Sequence, residues 1–305
     1  MKRINLGTSH IETGEISLGC MRMNQIAVSE AAEVIERAYQ SGIDLFDHAD
    51  IYGKGEAEKT FADAFAETSL RREDILLQSK CGIREGMYDF SKDYILSSVD
   101  GILQRLGTDY LDTLLLHRPD ALMEPDEVAE AFHQLEKSGK VKAFGVSNQN
   151  PVQMALLAKT LDQPLQINQL QLSLVHTPMI DAGFHVNMAD EAATVKDGGI
   201  LEYCRLYDVT VQAWSPFQHG MIEGVFIGNN DFPNVNEALS AFAEEKNITA
   251  SAAAIAWILR HPAQIQPIIG SMNPQRIEHI AQASEVDMTR AQWYELYRAA
   301  GNDLP

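Results

Sequence analysis

The sequence predicts an α/β fold, a (β/α)8 TIM barrel formed by a single domain over residues 1–305. Short apolar runs alternate with amphipathic stretches of helical period from one end of the chain to the other. There are eight such runs, which suits a closed eight-stranded barrel of about 250 residues. An open dinucleotide-binding sheet usually carries three glycines after its first strand, and the segment Gly53–Glu58 lacks the third.

The eight runs are predicted to be the barrel strands, because each is short, mainly apolar and followed by a helix-length segment. In chain order they are Ile16–Gly19, Asp44–Asp47, Ile75–Lys80, Thr113–His117, Ala143–Ser147, Gln166–Leu170, Thr210–Trp214 and Gln266–Ile269.

Helices are predicted where apolar residues recur at intervals of three and four. The clearest stripes are Ala31, Val34, Ile35, Ala38 and Tyr39, followed by Gly42; Val128, Ala131, Phe132 and Leu135, followed by Gly139; and Met154, Leu157, Ala158 and Leu161. Two stretches, Ser173–Gly199 and Phe217–Asn236, lack a regular pattern and are predicted to be long loops, either lids or plain insertions.

Composition excludes several classes of protein. The net charge of −19 argues against a nucleic-acid surface, which needs dense Lys and Arg. The three cysteines, Cys20, Cys81 and Cys204, form no CxxC pair, so neither a disulfide scaffold nor a zinc ribbon is indicated. No signal peptide and no run of 18 apolar residues is present, so we expect a cytoplasmic protein without a membrane span.

Ionisable residues end three consecutive predicted strands. Asp47 ends the second strand and Tyr52 follows it, Lys80 ends the third, and His117 ends the fourth. Each alone has an ordinary structural explanation, such as a turn cap or a solvated strand end. Because the C-terminal ends of barrel strands share one rim, where barrel enzymes hold their active sites, the four together indicate a site.

These four residues suit proton delivery to a carbonyl oxygen. A phenol with a pKa of about 10 is a poor proton donor near neutrality. A neighbouring ammonium lowers that pKa, a carboxylate holds the ammonium, and an imidazole orients the substrate oxygen. The set contains no nucleophile and no metal cage, so a hydride must come from a cofactor.

Later strands offer groups for a nicotinamide cofactor. Ser147, Asn148 and Gln169 can hydrogen-bond a carboxamide, and Trp214 presents a flat face on which a ring can stack.

A phosphate site is predicted after the last strand. Gly270 and Ser271 lead into Asn273 as a helix N-cap and Pro274 as the first helical residue, and a helix N-terminus binds phosphate. Arg276, one turn further, can add a charge-assisted contact, although a surface helix residue explains it equally well.

These residues resemble the aldo-keto reductase family. The matching segments are LFDHADIYG, QSK, LLLHRPD, FGVSN, INQLQ, QAWSPF and GSMNPQRI. The resemblance implies NADPH (NADP+) as cofactor, a small carbonyl substrate, no metal and, as often in this family, a monomer. It makes Asp47, Tyr52, Lys80 and His117 the catalytic tetrad. The cofactor contacts it implies are Gly19, Cys20, Met21, Ser147, Asn148, Gln169, Trp214, Ser215, Pro216, Phe217, Gly270, Ser271, Met272, Asn273 and Arg276.

The chain departs from the family pattern in three places. Gly270 stands where NADPH-preferring members often have lysine, which predicts preference for NADPH rather than exclusion of NADH. Trp214 stands where tyrosine is frequent. The chain stops soon after Trp293, without a long C-terminal tail, so Met21, Met23 and the loop after Trp214 are expected to form a wide opening that admits small aldehydes and dicarbonyls.

Two other functions compete with this interpretation. One is a metal-dependent barrel hydrolase with His48, Asp50 and His117 as ligands. The other is a nucleotide-binding redox sensor of the same fold. The substrate is not predicted, because selectivity depends on the loops Met21–Asn24, Gly82–Phe90, Arg118–Met123 and Phe217–Asn229.

Overall fold

Eight parallel strands close into a barrel in the computed structural model, which describes residues 1–186, 198–221 and 223–302. The strands are β1 (Ser17–Gly19), β2 (Leu45–Asp47), β3 (Leu76–Cys81), β4 (Leu111–Leu116), β5 (Val141–Ser147), β6 (Leu165–Gln171), β7 (Thr210–Trp214) and β8 (Gln266–Ile269). Each strand pairs with the next along the chain, and β8 pairs with β1 through Ile268 opposite Ser17. The predicted (β/α)8 barrel is confirmed.

The predicted strand positions agree with the observed ones, with small shifts at the ends. His117 lies one residue beyond β4 rather than at its end, and its backbone N–H donates to the Cys81 carbonyl over 2.9 Å. The pairing therefore still holds His117 at the rim beside β3.

Eleven α-helices occur in the described ranges. They are α1 (Val28–Gln40), α2 (Glu56–Ala66), α3 (Lys92–Leu106), α4 (Pro125–Lys137), α5 (Pro151–Ala158), α6 (Pro178–Phe184), α7 (Ile200–Leu206), α8 (Pro233–Lys246), α9 (Ala250–Leu259), α10 (Pro274–Ala281) and α11 (Arg290–Ala299). Short 3-10 turns occupy Met23–Gln25, Tyr52–Gly55, Arg72–Asp74 and Gln282–Glu285. None of the described helices is long and apolar enough to cross a membrane.

The predicted helical stripes face the barrel. In α1 the residues Ala31, Val34, Ile35 and Ala38 are buried. Helices α4 and α5 likewise bury the predicted apolar positions, with two exceptions. Ala158 is exposed, and Leu161 lies beyond the end of α5. Asn150 caps α5 by accepting hydrogen bonds from the N–H groups of Val152 and Gln153, which satisfies two free donors at the helix start.

The two long predicted loops are partly wrong. Ser173–Gly199 contains α6, while its residues 187–197 lie outside the described part of the chain. Phe217–Asn236 contains a hairpin of Gln218–His219 with Gly224–Val225, and its end forms the first turn of α8. Pro233 starts α8 without an aspartate or serine cap, so the sequence lacked the usual start signal.

The barrel interior contains a small apolar cluster and several polar side chains. The cluster consists of Leu6, Leu45, Leu115 and Ile167, with Leu6 supplied by the turn between the N-terminal strands Arg3–Asn5 and Glu12–Gly14. Toward the C-terminal end the same strands continue into polar side chains, including Asp47 and Gln169, which are buried. The polar end of the barrel is therefore the end that carries the predicted site.

Candidate active site

Tyr52 is presented by a strained turn directly after β2. Gly53, Lys54 and Gly55 have φ values of 57°, 58° and 90°, so three successive residues adopt the left-handed region. A Cβ on Gly53 would lie 2.5 Å from Nδ2 of Asn24, so a larger residue there would have to displace that side chain. The turn folds the chain sharply enough to bring Tyr52 back over the end of β3.

Lys80 links Tyr52 to Asp47. The Lys80 ammonium donates to both Asp47 carboxylate oxygens at 2.7 Å, to the His48 carbonyl at 2.8 Å and to the Tyr52 hydroxyl at 3.2 Å. Lys80 is fully buried, so the ion pair is shielded from solvent and its geometry is tightly constrained. The structure thus brings together three of the four residues predicted for proton delivery.

The pKa of Tyr52 differs from the expectation that Lys80 lowers it below its ordinary value. Burial lowers the pKa of Lys80, but Asp47 and Tyr52 together raise it above its ordinary value, so Lys80 stays charged. Burial raises the pKa of the Tyr52 phenol, Lys80 opposes this rise and Asp47 adds to it. Lys80 acts in the expected direction, but burial has the larger effect.

His117 faces Tyr52 across the cleft. The two rings meet edge to face with centroids 6.0 Å apart. Burial, with added effects of Lys80 and Arg118, holds the pKa of His117 well below its ordinary value, so the imidazole is neutral. Its Nδ1 is buried and has no hydrogen-bond partner among the described residues.

A cleft over this rim gathers most of the predicted cofactor residues. Asp47, Tyr52 and His117 line it, whereas Lys80 lies buried beneath. The predicted cofactor residues in its wall are Gly19, Met21, Ser147, Asn148, Gln169, Trp214, Ser215, Pro216, Phe217 and Gly270. Four of the remaining five, Ser271, Met272, Asn273 and Arg276, line an adjoining cavity, and Arg22 borders both spaces.

The wall opposite Tyr52 is held by side-chain hydrogen bonds. Ser147 Oγ donates to the Gln169 carbonyl at 2.9 Å, Asn148 Nδ2 donates to Ser147 Oγ at 2.8 Å, and Trp214 Nε1 donates to Asn148 Oδ1 at 3.3 Å. Asn148 and Ser215 both adopt left-handed φ values, 56° and 52°, directly after strand ends. Such strain is common where a binding surface needs a fixed shape.

The predicted phosphate site has the expected helix start. Asn273 caps α10 and accepts from the Arg276 N–H at 2.9 Å, with Pro274 in the first position. The Asn273 N–H donates to Ser271 Oγ at 3.2 Å. Because these two N–H groups are engaged, the side chains around the cavity have to supply more of any phosphate contact than the sequence suggested.

Arg22 places a cation beside Gly270, the position at which NADPH-preferring members of the family often have a lysine. Its guanidinium donates to the Gly270 carbonyl, and a Cβ on residue 270 would lie only 3.3 Å from Nη2 of Arg22. Arg22 and Arg276 therefore line the same cavity from two different loops. Gly270 supplies no cation itself, but Arg22, which is far away in sequence, adds a second cation to the cavity of Arg276.

Two sequence expectations about the first loop are corrected by burial. Cys20 does not line the cleft but is fully buried, and burial raises the pKa of its thiol well above the ordinary value. Met23 is also fully buried and joins the core, whereas Met21 is 45% exposed and lines the cleft. The opening is therefore bordered by Met21 but not by Met23.

Three further residues of the cleft were predicted only as parts of the selectivity loops and not individually. Arg118 follows His117, and its guanidinium lies 5.8 Å from the Trp214 ring centroid. Gln218 and Val225, which pair in the hairpin after β7, also line the cleft. The HRP segment could have revealed Arg118, but no sequence signal marks the hairpin residues.

The residues of the rival metal site do not converge. His48 is fully buried against Phe61, with ring centroids 4.6 Å apart, and burial lowers its pKa to about 3. Asp50 lies near Glu58, and burial raises its pKa to about 7. Within the described ranges no three His, Cys, Asp or Glu side chains are grouped to hold a metal ion.

The model of the aldo/keto reductase family matches residues 3–300. This chain belongs to the aldo/keto reductase family. It is similar to oxidoreductase YdhF of Escherichia coli, with 35% identity over 317 residues and all of both chains covered. It is also similar to 6-dehydroglucose reductase of Agrobacterium fabrum, with 35% identity over 314 residues and 98% of each chain covered.

A solved structure shares the fold of this aldo/keto reductase. A thermostable aldo-keto reductase in complex with the inhibitor epalrestat has a TM-score of 0.78 and 22% identity, and the match covers 98% of this chain and 100% of that one. Family and fold support an oxidoreductase of carbonyl compounds, and the family generally uses nicotinamide cofactors.

Proposed function

We propose that this protein reduces aldehydes or ketones to alcohols with NADPH, and that Tyr52 donates the proton. The observation that carries the proposal is the contact of Lys80 with the Tyr52 hydroxyl at 3.2 Å, with the same ammonium held by Asp47 at 2.7 Å. A buried ammonium beside a phenol stabilises the phenolate that remains after the proton leaves.

In the proposed reaction a bound nicotinamide supplies the hydride to the carbonyl carbon. Tyr52 donates its proton to the carbonyl oxygen, and its phenolate then regains a proton from solvent. Lys80 stabilises that phenolate, and Asp47 keeps Lys80 charged and in place. Neutral His117 holds the substrate oxygen near Tyr52 through a ring N–H, which burial of the imidazole preserves as a neutral donor.

The residues present suit a nicotinamide dinucleotide phosphate. Asn148 and Gln169 offer amide groups in the cleft wall, and Trp214 offers a half-buried aromatic face. The adjoining cavity contains Arg22 and Arg276 beside Ser271. Because the protein has a net charge of −19, two arginines in one cavity point to local binding of an anion such as the 2′-phosphate.

The substrate end of the cleft supports a hydroxylated carbonyl compound. Arg118 supplies donors there, and the buried Oε1 of Gln218 is an acceptor without a partner among the described residues. A similar relative is named 6-dehydroglucose reductase. We therefore propose small polar aldehydes, including aldehydes of sugars, as the substrate class.

The test is removal of the Tyr52 hydroxyl. Tyr52→Phe keeps the ring, so the melting temperature and NADPH affinity should be retained while kcat falls by about 10²–10⁴-fold. Lys80→Met should come close to the same loss. The rate is followed by NADPH absorbance with the best substrate from a panel of aldehydes, ketones and dicarbonyls.

Near-full activity of Tyr52→Phe would show that another group donates the proton. Cofactor binding by the wild type without any turnover across the panel would instead favour the redox-sensor alternative.

A further inference from the structure

Four glutamines lie inside the barrel. Gln78 of β3, Gln212 of β7 and Gln266 of β8 are fully buried, and Gln169 of β6 is 3% exposed. The interior of such barrels is usually filled by branched apolar residues. A buried carboxamide is costly unless its donors and acceptor are satisfied, so four of them together require an explanation.

The Gln78 carboxamide is fully satisfied and has a fixed orientation. Its Nε2 donates to Asp47 Oδ1 at 2.6 Å and to Gln212 Oε1 at 2.8 Å. Its Oε1 accepts from Thr113 Oγ1 at 2.9 Å and from Gln212 Nε2 at 3.2 Å. Thr113 and Gln212 therefore keep the Gln78 N–H directed at Asp47.

Asp47 Oδ1 is the acceptor on which this network converges. It accepts from Lys80 at 2.7 Å, from Gln78 at 2.6 Å and from Gln169 at 3.1 Å. Asp47 Oδ2 accepts from Lys80 alone among these residues, at 2.7 Å. The neutral amides of Gln78 and Gln169 thus both donate to an oxygen that, among these residues, otherwise accepts only from Lys80.

We propose that Gln78 is a positioning residue of the Tyr52 site, which holds Asp47 Oδ1 and so limits how strongly Asp47 draws Lys80 away from the Tyr52 hydroxyl. The inference rests on the proposed function, because it assigns Gln78 a role in proton donation by Tyr52. Hydrogen bonds to a carboxylate spread its negative charge, so less of that charge opposes the action of Lys80 on the phenol.

Several charged or titratable groups face the Tyr52 hydroxyl from the surrounding elements. They are Cys20 from the loop after β1, Asp47 from the end of β2, Lys80 from β3, and His117 from the loop after β4. Gln78 touches only Asp47 in this set. Its removal should therefore act on Tyr52 through the Asp47–Lys80 pair.

The experiment compares Gln78→Met with Gln266→Met. Both remove a fully buried carboxamide that contacts Gln212, but Gln266 bonds to Gln212 at 2.9 Å and to the Gly14 carbonyl at 2.7 Å and not to Asp47. The two variants are thus matched in burial and chemistry. The readout is the pH profile of kcat for carbonyl reduction and for the reverse oxidation of the alcohol.

Gln78→Met should raise the pKa of Tyr52, because Asp47 then acts more strongly on Lys80 and the phenol. Oxidation of the alcohol needs the phenolate, so the rise of its kcat with pH should move to higher pH by about half a pH unit or more. Reduction needs the phenol, so its fall at high pH should move in the same direction. Oxidation near neutrality should slow by roughly threefold to tenfold, while Gln266→Met keeps the wild-type profile and the NADPH affinity of both variants is unchanged.

Thr113→Val provides a second route if Gln78→Met does not fold. It removes only the hydroxyl that orients Gln78 Oε1, so a smaller shift in the same direction is expected. Identical pH profiles for Gln78→Met, Gln266→Met and the wild type would overturn the proposed role of Gln78. If Tyr52→Phe is inactive and the profiles still coincide, only this inference fails; if Tyr52→Phe is active, the proposed function fails.

Discussion

Arg22 and Arg276 are the two residues that we expect to favour NADPH over NADH in this protein. Both are exposed side chains at one cavity, and neither forms a salt bridge within the described ranges. The 2′-phosphate distinguishes NADPH from NADH, so their contribution should appear in the difference between the two affinities. One charge-assisted hydrogen bond contributes roughly 1.5–3 kcal/mol.

We predict that Arg276→Ala weakens NADPH binding by about tenfold to a hundredfold and leaves NADH binding almost unchanged. Arg22→Ala should have an effect in the same direction, and the double variant should bind both cofactors about equally. Quenching of tryptophan fluorescence, with Trp214 as the expected reporter, measures the affinities.

Arg37→Ala is the matched control for these variants. It removes one cation from the nearby surface, where Arg37 pairs with Glu278 at 2.7 Å, and should change neither affinity. Equal losses of NADPH and NADH affinity in Arg276→Ala would mean that Arg276 does not contact the 2′-phosphate.

At the scale of elements, the hairpin after β7 borders the substrate end of the cleft. Its strands Gln218–His219 and Gly224–Val225 place Gln218 opposite Val225, and both side chains line the cleft. The hairpin is anchored by Ser173, whose Oγ donates to the Gln218 carbonyl at 2.7 Å. One short element thus contributes a polar and an apolar residue to the wall of the cleft.

Gln218→Met should change substrate choice without harming the reaction itself. Loss of a single acceptor for a substrate hydroxyl is expected to lower kcat/KM for a hydroxylated aldehyde by roughly tenfold. An apolar aldehyde of the same size serves as the internal control and should be reduced as well as before. A wild-type preference for one large steroid-like ketone would contradict the open, polar substrate end.

At the scale of the whole molecule, the net charge of −19 bears on association. Like charges on two copies repel each other over about 10 Å at moderate salt, so the protein should stay monomeric. Light scattering should give a mass close to 33.8 kDa. The measurement is made at about 0.05 M and about 0.5 M salt, because screening would reveal a dimer that repulsion suppresses. About twice the monomer mass at both salt concentrations would contradict the prediction.

The barrel and the ionisable residues at the C-terminal ends of its strands could be predicted from the sequence. Eight apolar runs with helical segments between them allow few other folds, and chain order alone brings Asp47, Lys80 and His117 to neighbouring strand ends. Alternation along β3 also places Gln78 on the same interior face as Lys80, so that glutamine was within reach of sequence reasoning.

Other features of the site and the core became visible only in the three-dimensional structure. Arg22 fills the space at Gly270, Met23 turns into the core, and burial outweighs Lys80 in the pKa of Tyr52. The Gln78 carboxamide meets Asp47 and Gln212 from two other strands. Each of these depends on distances between residues far apart in the chain and on how completely packing removes water. Local periodicity and strand-end chemistry carry no information about either quantity.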